Sequence, residues 1–268
     1  GTLDPFASGV LPLFLGAATR VVEFHLADDK AYRATICFGA TSTTDDLDGD
    51  LAPVDGPPPD RDAVEAALAA FTGEQLQRPP AFSAIQVGGR RAYALARAGQ
   101  QVELAPRRVV IHELALREWD ASDPARPIAI VDVRCSAGTY VRALARDLGV
   151  RFGSGAYLGA LTRTASGPFT LESAHALEAI REAAAAMGPE GVRELLLPVD
   201  AGLEGMPAVT LTAGEISDAG QGRFVRPVAG VRDIPEGVPV RLLDEHGEIV
   251  GLGRRKGLRI APTKVFRR

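Results

Sequence analysis

Residues Gly1–Pro12 read GTLDPFASGVLP, a stretch that sets one carboxylate, Asp4, among small and apolar side chains. Asp followed by Pro is a good start for a helix, because the carboxylate accepts from free backbone N–H groups and Pro fits the first turn. Taken alone, Asp4-Pro5 therefore predicts a capped helix. The full order of Gly, Asp, Pro, Ala, Gly and Leu-Pro is far more specific than this dipeptide, so Asp4 is a candidate functional residue.

The composition is that of an ordinary globular protein of one or two domains, with 268 residues, 46% hydrophobic and 24% charged. No apolar run is long enough to span a bilayer, so we expect no membrane association. Cys37 and Cys135 lie far apart in strand-like segments and are expected to be buried thiols in a reducing cytoplasm. The four His residues are scattered, so no metal site is expected. The sequence has no Gly-rich phosphate loop and no GxGxxG motif after a strand, so no nucleotide cofactor is expected either.

The charge is unevenly distributed along the chain. The formal net charge is −4, and acidic residues concentrate in residues 45–65. Residues 241–268 instead hold eight Lys and Arg against three acidic residues, a local excess of +5. Such a basic tail is compatible with a solvated surface and with contacts to nucleic-acid phosphates, and composition alone leaves both open.

Hydrophobic periodicity predicts an irregular alternation of helices and strands. Helices are predicted at 17–27, 60–71 with Asp60 as its cap, 90–98, 139–148 and 174–186. Strands are predicted at 30–40, 82–87, 107–119, 127–135 and 156–164, with short ones near 208–211, 239–243, 248–253 and 258–266. Residues 41–50 are predicted to form a solvated acidic turn, and residues 188–207 a linker. This pattern indicates an α+β fold with a mixed or antiparallel central sheet and a small β-rich C-terminal unit.

Four later stretches share a family resemblance with the opening one. They are KAYRATICFGATSTTDDLDG (30–49), RPPAFSAIQVGGRRAYALAR (78–97), CSAGTYVRALARDLG (135–149) and GSGAYLGALTRTASGPF (153–169). Together with residues 1–12, and in the same order, they resemble the TruB-type tRNA pseudouridine synthases over most of residues 1–170. The end of the chain, LRIAPTKVF (258–266), resembles the small RNA-binding domain of that family, of the PUA type, more loosely.

The resemblance implies a pseudouridine synthase fold with a catalytic domain at residues 1–200 and a PUA-like RNA-binding domain at 208–268. In the family a strand, a Lys-containing segment and a His precede the opening motif, so it also implies a chain that is incomplete at its N terminus. One departure is Tyr157, where many relatives have His, and we expect it to affect packing more than chemistry.

The resemblance also assigns roles to five side chains. Asp4 is the catalytic nucleophile, and Tyr32 and Arg142 complete the catalytic set. Tyr32, Tyr140 and Leu161 contact the substrate base. These assignments make chemical sense, because a guanidinium keeps a neighbouring carboxylate ionised and an aromatic ring can stack on an extruded base.

Each residue alone has a plainer explanation. Arg142 fits an exposed helix position, since Arg146 lies four residues on. Tyr32 and Tyr140 fit ordinary packing of a sheet and a helix, and Leu161 would serve in any apolar core.

The reaction implied is isomerisation of uridine 55 in the T-loop of tRNA, by a monomer that needs tRNA (T-stem and loop) but no cofactor, no membrane and no obligatory protein partner. Two alternatives remain open. One is a dyskerin-like synthase targeted by guide RNA and partner proteins. The other is a non-catalytic tRNA-binding or tRNA-folding protein, which would not need the combination of Asp4, Tyr32 and Arg142.

Overall fold

The structure, a computed structural model, describes residues 2–100, 102–227 and 230–266. Its contacts divide the chain into two units. The first unit comprises the residues up to Pro12 together with Leu26–Ala174. The second comprises Leu13–His25 and the chain from His175 onward. The segment that directly follows the Asp4 motif therefore groups with the C-terminal part of the chain.

The elements follow one another irregularly along the chain. The strands are β1 (Ser8–Gly9), β2 (Lys30–Phe38), β3 (Ala40–Ser42), β4 (Leu51–Pro53), β5 (Gly73–Gln77), β6 (Gln86–Val87), β7 (Arg90–Arg91), β8 (Arg107–Asp120), β9 (Ile128–Cys135), β10 (Ala156–Ser166), β11 (Phe169–Thr170), β12 (Ala208–Thr210), β13 (Pro239–Leu243), β14 (Ile249–Lys256) and β15 (Arg259–Val265). The α-helices are α1 (Val22–His25), α2 (Arg61–Ala70), α3 (Ala92–Arg97), α4 (Val141–Phe152), α5 (Leu177–Met187), α6 (Pro189–Glu194) and α7 (Ala213–Gly220). Among the described residues, no helix combines the length and apolar character that crossing a bilayer requires.

The first unit is built on one mixed sheet. Its strand order is β1-β10-β2-β9-β8-β5, with β11 paired to β10. β1 runs parallel to β10, whereas β2 pairs antiparallel with both β10 and β9. β8 and β9 are antiparallel neighbours, as the sequence predicts. The α+β class with a mixed central sheet is thereby confirmed.

The core of this unit lies on one face of the sheet. The alternation in β2 buries Ala34, Ile36 and Phe38, with Tyr32 packed at the edge of the same cluster. Helices α2 and α4 cover this face with apolar side chains that include Leu68 and Leu144. Burying a side chain of this size contributes roughly 1.5–3 kcal/mol, so the predicted strand pattern and the helix stripes stabilise the same layer.

Helix α4 approaches the start of β10 unusually closely. A Cβ on Gly149 would lie 2.1 Å from the backbone nitrogen of Ala156, so only glycine permits this contact. Gly153, in the left-handed region at φ 69°, then ends the helix and turns the chain into β10. The C-terminal end of α4 is therefore held against the start of β10.

The second unit contains a smaller sheet. β12 is parallel to β13, and β13, β14 and β15 follow in antiparallel order. Its core includes Val240, Leu242 and Ile260. Helix α7 begins with a capping box between Thr212 and Glu215. A small C-terminal β sheet is thus present, as expected.

Residues 13–25 are part of this second unit. Val21 is fully buried against Leu203 and Leu252. The Arg20 guanidinium donates to the carbonyl of Val265 over 2.6 Å, and Lys264 forms an ion pair with Glu23.

Three predictions of local structure are wrong in part. The strand predicted at 82–87 shrinks to β6, because residues 81–84 form bends and only Gln86 and Val87 pair with β7. The helix predicted at 17–27 begins as a 3-10 helix, Gly16–Val21, before α1. The linker predicted at 188–207 contains α6, which starts at Pro189.

Candidate active site

Asp4 lies in a turn and not at a helix start. The Ala7 N–H donates to the Asp4 carbonyl over 2.9 Å, and the chain then enters β1. The helix predicted from Asp4-Pro5 is therefore wrong. β1 pairs with Thr162 and Arg163 of β10, so the loop that carries Asp4 is attached to the central sheet.

Arg142 lies in the first turn of α4 with only 6% of its side chain exposed. Its Nε is 2.9 Å from Asp4 Oδ2, and its Nη2 is 3.2 Å from Asp4 Oδ1. The Asp4 side chain is 35% exposed, so a substrate can reach it. The structure thus brings the predicted pair together and excludes the exposed helix position for Arg142.

The start of α4 is held by a side chain from β5. Gln77 accepts from the Tyr140 N–H over 2.8 Å and donates to the Tyr140 carbonyl over 3.1 Å. This buried amide takes the place of a side-chain cap, which Tyr140 itself does not supply. Tyr140 is half-buried at the N-cap position, next to the turn that carries Arg142. Its contact with a substrate base stays a prediction.

A second carboxylate, Asp46, binds the same guanidinium. Asp46 Oδ2 is 3.1 Å from Arg142 Nη1, and the Asp46 side chain is 6% exposed. Its other oxygen accepts from the Asp48 N–H over 3.0 Å and from the Thr44 hydroxyl. The prediction of a solvated turn at 41–50 is therefore wrong at its centre, because Asp46 is buried against Arg142.

The remaining donors of Arg142 bind backbone oxygens. Nη1 donates to the carbonyl of Thr44 over 3.2 Å, and Nη2 donates to the carbonyl of Phe82 over 3.0 Å. A guanidinium has five N–H donors and one carboxylate cannot satisfy all of them, so a buried Arg142 requires further acceptors. This donor count is the one signal in the sequence that could have pointed to Asp46.

The next turn of α4 carries a second arginine bound to carboxylates, Arg146, which is less buried than Arg142. Arg146 Nη1 is 2.9 Å from Asp45 Oδ2, and the same guanidinium binds Asp147. Burial raises the pKa of Asp45, and the Arg146 guanidinium opposes that shift. Asp45 adopts a left-handed conformation at φ 64°, and its carbonyl accepts from the Leu158 N–H. The 41–50 loop is thus tied to α4 and to β10 at neighbouring points.

Tyr32 and Leu161 lie on the core face of neighbouring strands. Tyr32 of β2 stands opposite Arg163 of β10, and Leu161 stands opposite Ala34. Leu161 is a buried member of the core cluster, and Tyr32 packs against this cluster. Burial raises the pKa of Tyr32; Cys135 and Asp4 add to the increase, while the Arg163 guanidinium opposes it. The contacts of Tyr32 and Leu161 with a substrate base stay predictions.

The departure at position 157 affects packing. Tyr157 stands opposite Cys37 across β10 and β2, and its hydroxyl interacts with the Cys37 thiol. Burial raises the pKa of Cys37, and burial raises that of Cys135 to about 11.

No group of His, Cys, Asp or Glu within the described ranges is arranged to hold a metal ion.

Two family models match consecutive parts of the chain. Residues 1–141 match "TruB family pseudouridylate synthase (N terminal domain)", and residues 142–204 match "tRNA pseudouridylate synthase B C-terminal domain". A protein of Thiobacillus denitrificans named tRNA pseudouridine synthase B is 43% identical over 267 residues, which cover 99% of this chain and 85% of that protein. A protein of the same name from Bradyrhizobium diazoefficiens is 39% identical, over 99% of this chain and 76% of its own length.

Solved structures support the same fold. A crystal structure of a Cbf5-Nop10-Gar1 complex contains a chain that is 26% identical, with a TM-score of 0.68 over 99% of this chain and 74% of that one. A structure of an H/ACA RNP bound to a substrate RNA contains one that is 24% identical, with a TM-score of 0.69, over 100% of this chain and 75% of that one. The fold is therefore that of the pseudouridine synthases.

The family matches reach residue 204, and relatives about 40% identical align with nearly the whole chain, most of their own length included. This chain therefore belongs to the TruB family of pseudouridylate synthases, which are isomerases.

Proposed function

We propose that this protein converts uridine 55 in the T-loop of tRNA to pseudouridine, with Asp4 as the nucleophile. The single observation that carries the proposal is the Asp4–Arg142 pair. A buried guanidinium holds both oxygens of a carboxylate that remains accessible from outside. Relatives named tRNA pseudouridine synthase B supply the substrate class.

The chemistry needs an ionised carboxylate and no redox partner. The N1–C1′ bond of the nucleotide breaks and a C5–C1′ bond forms, after which C5 loses its proton and N1 gains one. Arg142 is always charged and stabilises the carboxylate form of Asp4 for attack on the sugar or the base. Asp46 neutralises part of that positive charge, so the cluster of two carboxylates and one guanidinium retains a net negative charge.

The base must leave its stack to reach Asp4, and pockets for flipped bases have aromatic and apolar walls. We assign Tyr32 as the ring that stacks on the base and as a group able to move a proton, with Tyr140 and Leu161 as further walls. Tyr32 suits the stacking role because its ring packs at the edge of the apolar core cluster and is only partly buried.

The remaining assignments follow from the same family membership. We propose a catalytic domain at residues 1–200 and a PUA-like RNA-binding domain at 208–268, acting as a monomer in the cytoplasm without an obligatory protein partner. The guide-RNA alternative draws support from the likeness to Cbf5 chains. The tRNA enzymes are closer in sequence, at 43% against 26% identity, and this favours the stand-alone reaction.

Incubation with unmodified tRNA, followed by mapping of pseudouridine, tests the proposal. Wild-type protein should modify position 55, and a transcript with cytidine at that position should yield no product. Asp4→Asn should abolish turnover while tRNA binding and melting temperature stay close to wild type, because the amide keeps the shape but not the nucleophile. Asp50→Asn, an exposed change in the 41–50 loop, is the matched control and should remain active.

Substantial product from Asp4→Asn would remove Asp4 from the mechanism. Modification that occurs only with an added guide RNA would favour the alternative.

A further inference from the structure

Arg163 of β10 is a buried arginine that the chemistry above does not use. It is 3% exposed, and it stands opposite Tyr32 in the sheet. Its Nε donates to the carbonyl of Val10 over 2.7 Å, and its Nη1 donates to the carbonyl of Thr2 over 3.1 Å. One guanidinium therefore binds the chain on both sides of Asp4.

The backbone of Arg163 also binds this loop, but only at residues that follow Asp4 in the chain. Its carbonyl accepts from the Val10 N–H over 2.8 Å, and it pairs with Gly9 across β1 and β10. Gly9 has φ 101°, and a Cβ there would lie 2.2 Å from the Arg163 carbonyl oxygen. The backbone contacts thus fix residues after Asp4, whereas Thr2, before Asp4, is reached by the Arg163 side chain.

The third nitrogen of this guanidinium, Nη2, is not used by the two carbonyl contacts. Nη2 is buried and makes no hydrogen bond of good geometry among the described residues. The Tyr32 hydroxyl interacts with the same guanidinium, and this interaction lowers the pKa of Tyr32 against the larger effect of burial. Arg163 therefore contacts the loop of the proposed nucleophile and the ring proposed to stack on the base.

We propose that Arg163 is a positioning residue that clamps the Asp4 loop at Thr2 and Val10 and orients Tyr32 beside it. The inference rests on the proposed roles of Asp4 and Tyr32 and adds the residue that sets their distance. A planar fork can hold two carbonyls at fixed angles, whereas a lysine ammonium is a point charge on a flexible stem. A misplacement of about 1 Å in a reacting group costs on the order of 100-fold in rate.

The test compares Arg163→Lys with Arg241→Lys. Arg241 is a matched control, because it is a half-buried arginine of the second unit that also binds loop carbonyls, those of Met206 and Glu204, together with Asp200. Arg163→Lys should lower kcat on tRNA by about 10- to 100-fold and leave Kd for tRNA within about threefold. Arg241→Lys should lower the melting temperature to a similar extent and leave kcat unchanged.

Amide hydrogen exchange gives a readout that does not depend on activity. Arg163→Lys should speed exchange in the peptide that covers residues 2–12, and Arg241→Lys should leave that peptide unchanged. Arg163→Gln is made in parallel in case the lysine variant does not fold. Unchanged exchange in residues 2–12 or an unchanged kcat in Arg163→Lys would overturn the positioning role. Unfolding of both Arg163→Lys and Arg163→Gln would overturn it as well.

The proposed function is tested separately by the wild-type protein and Asp4→Asn. An inactive wild type would overturn the proposed function and, with it, the catalytic part of this inference, while exchange would still decide whether the clamp exists.

Discussion

The guanidinium of Arg142 binds two carboxylates and two backbone carbonyls at once. Only an arginine at position 142 can make all four contacts. Asp4 lies across the Nε/Nη2 edge, and Asp46 binds Nη1. Removing one member of a buried charged cluster leaves the others without a partner, which is costly. The side chain at position 142 must therefore be both charged and forked.

Arg142→Lys should lower turnover by about 100-fold or more, because an ammonium keeps the charge but cannot bind Asp4 and Asp46 in this geometry. Affinity for tRNA should change little. The measurement is single-turnover pseudouridine formation at saturating enzyme. Arg146→Lys, one turn later and ion-paired with Asp45, is the matched control and should retain most activity. Equal losses in the two variants would show that any arginine of α4 matters only for stability.

At the scale of elements, a charged triad links three adjacent strands of the sheet. Asp132 of β9 binds Arg33 of β2 over 2.8 Å and Arg117 of β8 over 2.7 Å. Both guanidiniums are more than half exposed, so solvent screens the interaction and limits its contribution. The Arg33 hydrogen bond lowers the pKa of Asp132, and Arg117 adds to the decrease, while partial burial opposes it.

Asp132→Asn should therefore lower the melting temperature at neutral pH by about 2 °C or less. A carboxyl with a lowered folded-state pKa stabilises the fold above its ordinary value and loses this effect as the pH falls through the lowered value. The difference from wild type should accordingly shrink as the pH falls below 3.8, the ordinary value for Asp. Melting curves across this range test it, with exposed Glu103→Gln as a control, and a difference that persists in acid would contradict it.

Strands that bury one face can be predicted from the sequence, and segments held by distant contacts cannot. The sequence predicts β2, β8, β9 and β10 because period-two alternation reports directly on burial of one face. It does not predict β5, because the apolar residue of that strand, Leu76, points to solvent at the edge of the sheet. The burial of Asp46 is not predicted either, because local polarity suggests solvent, whereas Arg142, nearly a hundred positions away along the chain, buries it.

The five predicted site residues show the same division. Sequence motifs point to Asp4 and Arg142, and the structure brings them into contact. The part played by Arg163 cannot be read from the sequence, because it depends on the register of β1 against β10 and on the positive φ of Gly9.

At the scale of the whole chain, the segment 13–25 links the Asp4 motif to the second unit. Val21 packs against Leu203 and Leu252, so a chain cut before residue 208 would leave this apolar segment without Leu252. Deleting residues 208–268 is therefore a poor test of RNA binding, since it removes packing together with charge. Substitution of surface charges within an intact chain separates the two effects.

The basic residues of the tail fall into two groups. Arg241, Arg255 and Lys264 are largely engaged within the second unit, with Asp200, Glu236 and Glu23 as partners. Arg254, Lys256 and Arg259 are exposed on β14 and β15, and Lys256 stands opposite Arg259. Arg267 and Arg268 lie outside the described residues. If the tail binds tRNA, the exposed group is the one that can reach phosphates.

Changing Arg254, Lys256 and Arg259 together to Gln should weaken tRNA binding and flatten its dependence on salt. The slope of log K against log salt should fall by about 0.7–0.9 for every phosphate that the variant no longer neutralises. Turnover at saturating tRNA should be close to wild type, because a weaker affinity can be offset by more substrate. Binding titrations at several salt concentrations, with melting curves to verify folding, make the measurement.

The control removes the same amount of charge from elsewhere in the second unit. Arg181, Arg193 and Arg223 are exposed, and each is ion-paired with a nearby carboxylate, so their joint change to Gln alters net charge without touching the β14–β15 hairpin. Phosphate contacts position an RNA locally, whereas net charge acts at long range and is screened within about 10 Å at moderate salt. A change in the salt slope confined to the hairpin variant therefore identifies the contact surface, and an equal change in both variants contradicts a local one.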